Sequence, residues 1–299
     1  MPYLTDLPEF NLDDAADFIN NASCVLFVGP ELLRYHAGDS ETDESLTQYV
    51  RRRLYDENQA DINFFHPTEG LFLFKTPTKR IAVKRKITDL YEEIWNDPVF
   101  WRLNLSTLQA LSQLPFHLIV TVTSDNFIAR AMEKFGLKPQ TGYFIGGGKP
   151  IGEVSLPTKK TPPLVYHLCG SVEDNASILL DYEELYVYLK SVLDRSRLPD
   201  NLDTALDSAG IYIFLGFEMH RWQTQLLLQL VQEIVKNKDK FASHYTFNDE
   251  QYDEFFKGLF KIAPVGEQRE IIQNILSAFT EKKYALRSLK EVPDTPLGV

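Results

Sequence analysis

Cysteine is nearly absent from this 299-residue chain: Cys24 and Cys169 are the only two, with no CxxC spacing and no histidine cluster beside them. That excludes a disulfide framework and a structural zinc site of the usual ligand spacing. Basic residues are also in deficit, with 31 Lys+Arg against 42 Asp+Glu and a formal charge of −11. Binding along a phosphate backbone depends on clustered cations, so nucleic acid is not an expected partner. No apolar run approaches the ~20 residues of a membrane helix, and no membrane association is expected. The first residues, Met1-Pro-Tyr-Leu-Thr-Asp6, are acidic and lead into no apolar stretch, so a secretory signal is not expected and the cytoplasm is the expected location.

What is present is the composition of a globular protein, 44% hydrophobic and 24% charged. Four short apolar runs stand out: Cys24–Val28, His117–Val122, Leu164–Leu168 and Ile211–Leu215. Each is rich in β-branched or aromatic residues and too short for a helix. None alternates cleanly, which suits strands covered on both faces in a parallel sheet. Helical periodicity lies around them, over Asn11–Asn20, Ser45–Leu54 and Trp222–Val235. Strands alternating with helices predict an α/β fold, three layers around a mostly parallel, Rossmann-like sheet.

The Phe-rich stretch Ile62–Phe74 reads as a loop leading into a short apolar segment, and its aromatics as packing or a partner patch. Gly146-Gly-Gly148 and the prolines after it read as an irregular insertion. Beyond about residue 245, patterns such as Glu250–Phe260 and Glu267–Phe279 predict a C-terminal helical extension, and Val292–Val299 a frayed tail. The expected division is residues 1–240 for the α/β domain and 241–299 for the extension. Lys79, Arg80 and Lys84–Lys86 form a basic cluster, read as a solvated face or a contact for an acidic partner or nucleotide. Arg51–Arg53 spread over several faces of a helix and carry less weight.

In a parallel sheet, ligands bind outside the carboxyl ends of the strands. The residues there are Leu26-Phe-Val-Gly29, Ser124-Asp125 followed by Ile128-Ala-Arg-Ala131, Tyr166-His-Leu-Cys-Gly170 and Phe214-Leu-Gly-Phe217. In order and interval these four segments resemble the sirtuin-like family, whose strands end in Gly-Ala-Gly-x-Ser, Thr-Asn-x-Asp, His-Gly and apolar-Gly-Tyr-Ser. The resemblance spans roughly residues 15–235 and is nearest to the bacterial branch found in anti-phage and other conflict systems. It implies a Rossmann-type domain in which Gly29, Glu31, Ser124, Asp125, Gly170 and Gly216 occupy nucleotide-binding positions. It also implies NAD or an ADP-ribose derivative as the candidate ligand.

The departures from that pattern point away from catalysis. Gly29 is followed by Pro30, which has no N–H, and by the acidic Glu31, whereas a phosphate loop works through free amides. Thr123 stands at the family's asparagine and Cys169 at its histidine. A thiol is a poor general base at neutral pH. The expected protein is therefore a non-catalytic binding or scaffold module that requires no cofactor and engages a protein partner from a defence operon or a nucleotide, with a homo-oligomer built through the helical tail as a further expectation. The alternative is an active NAD glycohydrolase with a site rebuilt from His167, Asp125, Thr123 and Cys169. Each residue also has a structural reading: His167 packed within the sheet, Asp125 capping the next helix, Cys169 a small apolar filler, Gly29 a tight turn.

Overall fold

The computed structural model describes residues 11–37, 43–144, 155, 157–192, 198–219, 221–234, 239–243 and 258–290. Its first layer-forming element is helix α1 (Leu12–Asn20), started by Asn11, whose side chain accepts from the Asp13 amide. Strand β1 (Cys24–Val28) follows and becomes the centre of the sheet. A two-residue pair, β2 (Arg34–Tyr35) and β3 (Glu44–Ser45), leads into α2 (Leu46–Glu57). Ser45 caps that helix by accepting from the Gln48 amide. Next come β4 (Ile62–His66) and β5 (Leu71–Phe74), then α3 (Pro77–Asn96) and α4 (Pro98–Gln113). The Ile62–Phe74 stretch is therefore an antiparallel hairpin rather than a loop. Its aromatics stack on one another and on Tyr55, which holds together a ribbon that polar turn residues alone would not signal.

The rest of the sheet comes from β6 (Leu118–Thr121), β7 (Gln140–Tyr143), β8 (Leu164–His167), β9 (Ile211–Leu215), β10 (Asp239–Ala242) and β11 (Ile262–Pro264). All seven strands pair in parallel, in the order β11-β10-β9-β1-β6-β8-β7. Helices α5 (Phe127–Lys134), α6 (Tyr182–Val192), α7 (Asp200–Ser208), α8 (Trp222–Ile234) and α9 (Gln268–Glu281) complete the molecule. This is a Rossmann-like α/β fold. The four apolar runs are the four central strands.

Side-chain alternation explains why those strands read as unbroken apolar runs. Leu26, Val28, Ile119, Val165 and Ile213 enter one core with α1, α3, α4, α5 and α9. Val25, Phe27, Val120, Tyr166 and Phe214 enter a second core with α6, α7 and α8. Both faces are covered, so both sets of positions must be apolar.

The C-terminal part is helical through α9, which packs on α1 and α4. It also supplies the last two strands on one side of the sheet: β10 spans the expected division at 240, and the edge strand β11 lies beyond it. After α9 the chain is tied back along the body. Lys282 pairs with Asp17 at 2.9 Å, and Arg287 donates to the Leu114 and Phe116 carbonyls at 3.0 and 2.6 Å. The Gly146–Gly148 segment of the expected irregular insertion, most of the expected Glu250–Phe260 helix and the expected Val292–Val299 tail lie outside the described residues. Among the described residues no helix is long and apolar enough to cross a membrane.

His117, just before β6, is buried with its Nδ1 unbonded among the described residues. Burial, together with the nearby cations Arg287 and Lys159, pushes its pKa down to about 4. Its folded-state pKa lies below the unfolded value, so the neutral ring stabilises the fold above about pH 6.5. That contribution is lost as pH falls through about 4. Urea midpoints across this window should drop less steeply in His117→Asn than in the parent chain; equal slopes would remove His117 from the account.

Candidate functional site

The loops after β1 and β9 meet back to back. Gly29 lies so close to the other loop that a Cβ there would fall 2.3 Å from the Gly216 carbonyl oxygen. Gly216 has φ +75°, and a Cβ on it would sit 2.4 Å from the Leu32 nitrogen. Backbone bonds seal the crossing: the Gly29 amide donates to the Leu215 carbonyl at 2.8 Å and the Glu31 amide to the Gly216 carbonyl at 2.9 Å. The Leu32 amide turns back to the Gly29 carbonyl at 3.3 Å. Pro30 has none to offer. Every donor of the segment Gly29–Leu32 is thus either missing or engaged within the protein.

Side chains lock the same loop. Arg34 pairs with Glu31 at 2.6 Å, and Gln268 at the start of α9 donates to the Glu31 carbonyl at 3.2 Å. Burial and the nearby Glu218 raise the Glu31 pKa, while Arg34 and Arg221 oppose the rise. Glu218 in turn pairs with Arg221.

After β6 and β8 the chain forms a second polar group. Asp125 is buried and accepts from the Phe127 amide at 3.2 Å, at the start of α5. Ser124 meets the Tyr91 hydroxyl at 3.2 Å. His167 is 2% exposed; its Nδ1 lies 3.1 Å from the Thr123 carbonyl, and its Nε2 has no partner among the described residues. Burial raises the Asp125 pKa and lowers that of His167, and each charge draws the other part of the way back. Gly170 turns the chain after β8, pressed against the Ser177 carbonyl.

Outside these strand ends lies a cavity of about 510 Å³, within the size range of small-molecule sites. Pro30, Val122, Thr123, Cys169 and Phe217 form its floor, one strand end after another. Helix α6 gives Leu185, Tyr188 and Leu189, and α8 gives Thr224 and Leu227. The β4–β5 turn roofs it with Pro67, Glu69 and Gly70. That turn is pinned by Arg221, which donates to the Thr68 carbonyl at 2.8 Å.

Of the residues singled out from the sequence, Thr123 and Cys169 line this cavity. Gly29, Glu31, Ser124, Asp125, His167, Gly170 and Gly216 lie at the same strand ends but are not among its lining residues. The Cys169 thiol faces the Tyr188 hydroxyl at 3.6 Å, and burial pushes its pKa up to about 11. One lining residue was undervalued. Arg51, on α2, reaches the cavity and donates to the Leu179 carbonyl at 2.8 Å. Its neighbours Arg52 and Arg53 instead pair outward with Glu44, Glu57 and Glu93. Nothing in the run Arg51–Arg53 itself separates the inward residue from the two outward ones; the chain passing α2 at Leu179 does.

The basic cluster is largely neutralised within the protein. Lys79 pairs with Asp61 at 2.8 Å, Arg80 with Asp181 at 2.6 Å and Lys84 with Glu184 at 2.6 Å, while Lys86 bonds Asn58. The Arg80 and Lys84 pairs tie α3 to the start of α6, and the Lys79 and Lys86 contacts tie it to the connection between α2 and β4, so these cations are engaged within the protein.

Comparison with known proteins shows a likeness over part of the chain. Residues 117–262 match the SIR2-like domain. That match holds three of the four segments that carry the sirtuin-like resemblance and leaves out the β1 loop with Gly29. No curated protein matches the chain. A solved structure described as "Structural Basis for the Mechanism and Regulation of Sir2 Enzymes" is 11% identical, over 92% of this chain and 99% of that one, with a TM-score of 0.42.

Two outcomes follow from this geometry. Gly216→Ala should destabilise the protein by about 2–4 kcal/mol, since it adds both left-handed strain and a backbone clash. Chemical denaturation reads this directly, and a loss under about 0.5 kcal/mol would contradict the tight crossing. At pH 7.5 the native Cys169 thiol should react with iodoacetamide about a hundredfold or more slowly than a free thiol. Mass-spectrometric labelling at the free-thiol rate would contradict the elevated pKa.

Proposed function

We propose that this protein is a sirtuin-like binding module that does not cleave NAD. By its resemblance to the bacterial conflict-system branch, it serves as a ligand-responsive or scaffold component that engages a protein partner. The observation that carries the reading is the closed state of the Gly29–Leu32 loop: its amides are engaged by the β9 loop or by the loop itself, and Pro30 has none. A pyrophosphate needs such amides free and pointing at it. Glu31 adds a carboxylate beside the same position. The residues present do not fit the NAD phosphates, and no step through NAD is derived.

The chemistry at the other strand ends supports the same reading. Cys169, at the position of the family's histidine, holds its proton far above neutral pH, and general-base catalysis favours a pKa near the operating pH. The competing reading, an NAD glycohydrolase rebuilt on His167, Asp125 and Thr123, has the unbonded Nε2 of His167 in its favour. Against it, His167 is 2% exposed and does not line the cavity.

Purified protein incubated with millimolar NAD should release no nicotinamide above the enzyme-free blank. Sustained turnover that His167→Ala abolishes would overturn the proposal and establish the glycohydrolase.

A further inference from the structure

The cavity at the strand ends is lined by a cation, Arg51, that no carboxylate of the described residues contacts directly. Arg51 donates through one nitrogen to the Leu179 carbonyl, while its Nη1 is sealed from solvent with no hydrogen-bond partner. Among the described residues it forms no ion pair, although the arginines on either side of it in sequence space, Arg34 and Arg52, both do. Burial lowers its pKa, with only the more distant Tyr91, Glu184 and Cys169 opposing. Arg51 as a whole is half-buried, and a guanidinium that sits against a cavity without an ion pair leaves a charge that an anion there would offset.

A second, independent feature points the same way. The amino end of α2 borders this cavity through its cap Ser45 and through Thr47 and Gln48. Helix amino ends favour negative charge, and Arg51 stands about one turn further along the same helix. Of the other charged lining residues, Arg221 is paired with Glu218, and Lys190 stands against the carboxylate of Glu69, so the lining keeps a small excess of positive charge through Arg51. Most of the remaining wall is apolar, including Leu71, Val122, Leu179, Leu185, Phe217 and Leu227.

From this arrangement we infer that the cavity binds an organic carboxylate with an apolar body, its head group on Arg51 and the α2 amino end and its hydrocarbon part against the leucines and Phe217. Arginine matches a carboxylate as a two-pronged donor, and such charge-assisted bonds are the strong ones. A polyphosphate is the poorer match, because its several charges would face hydrocarbon walls. The inference rests on the reading of the protein as a binding module and names the ligand class of that module.

Isothermal titration of the full chain with 4-phenylbutyrate and octanoate, each against its neutral alcohol, tests this. The acids should bind at one site, with the alcohols roughly ten- to a hundredfold weaker. Arg51→Met should erase the preference for acid over alcohol while leaving alcohol binding in place, and Arg51→Lys should restore part of it. Leu227→Trp, which fills the cavity and keeps Arg51, should remove both classes. Acids that do not bind, acids no tighter than alcohols, or a preference that survives Arg51→Met would each overturn the inference. If Arg51→Met does not fold, the acid–alcohol ratio in the parent chain and Leu227→Trp decides. Nicotinamide release measured on the same samples separates the two claims. NAD turnover overturns the binding-module reading; no turnover together with no acid binding overturns the ligand class alone.

Discussion

The contact on which the site depends is the crossing of the β1 and β9 loops at Gly29 and Gly216. Two backbones approach there so closely that neither position has room for a side chain. This closeness lets the Leu215 and Gly216 carbonyls take the amides of Gly29 and Glu31. Buried backbone groups must be paired, and here they pair within the protein. What is left for a ligand outside the sheet is then not a cradle of N–H groups but a cavity with apolar walls and an arginine at one side. The locking of the loop extends to the far end of the chain, because Gln268 of α9 bonds the Glu31 carbonyl.

Much of the fold was legible in the sequence. The central strands β1, β6, β8 and β9 announce themselves because helices cover both faces and every position must be apolar. The starts of α1 and α2 were equally plain, since Asn11 and Ser45 sit where an oxygen can take a free amide. The outer strands β10 and β11 on one side of the sheet were not. They are three or four residues long, and Lys240 in β10 is a charged residue that hides its amine by donating to the Phe260 carbonyl at 3.2 Å. The β4–β5 hairpin was missed for a related reason: two of its large residues, Phe64 and Leu73, face solvent, so no alternating inner face marks it.

The site was legible in place but not in detail. Reading the four strand ends located the region, because a parallel sheet puts its ligand crevice there whatever the ligand. The cavity's own chemistry comes from elements far away in the chain: α2, the β4–β5 turn, α6 and α8. Arg51 illustrates the limit. In sequence it is one of three consecutive arginines, and only the tertiary path of Leu179 past α2 distinguishes it from its outward-paired neighbours.

Amide hydrogen exchange at Gly29 and Glu31, followed by NMR with and without millimolar NAD, tests the closed loop most directly. The account predicts slow exchange at both amides in the free protein, unchanged in rate and chemical shift when NAD is added. Fast exchange in the free protein that becomes protected on adding NAD would show the amides open to a phosphate and contradict it.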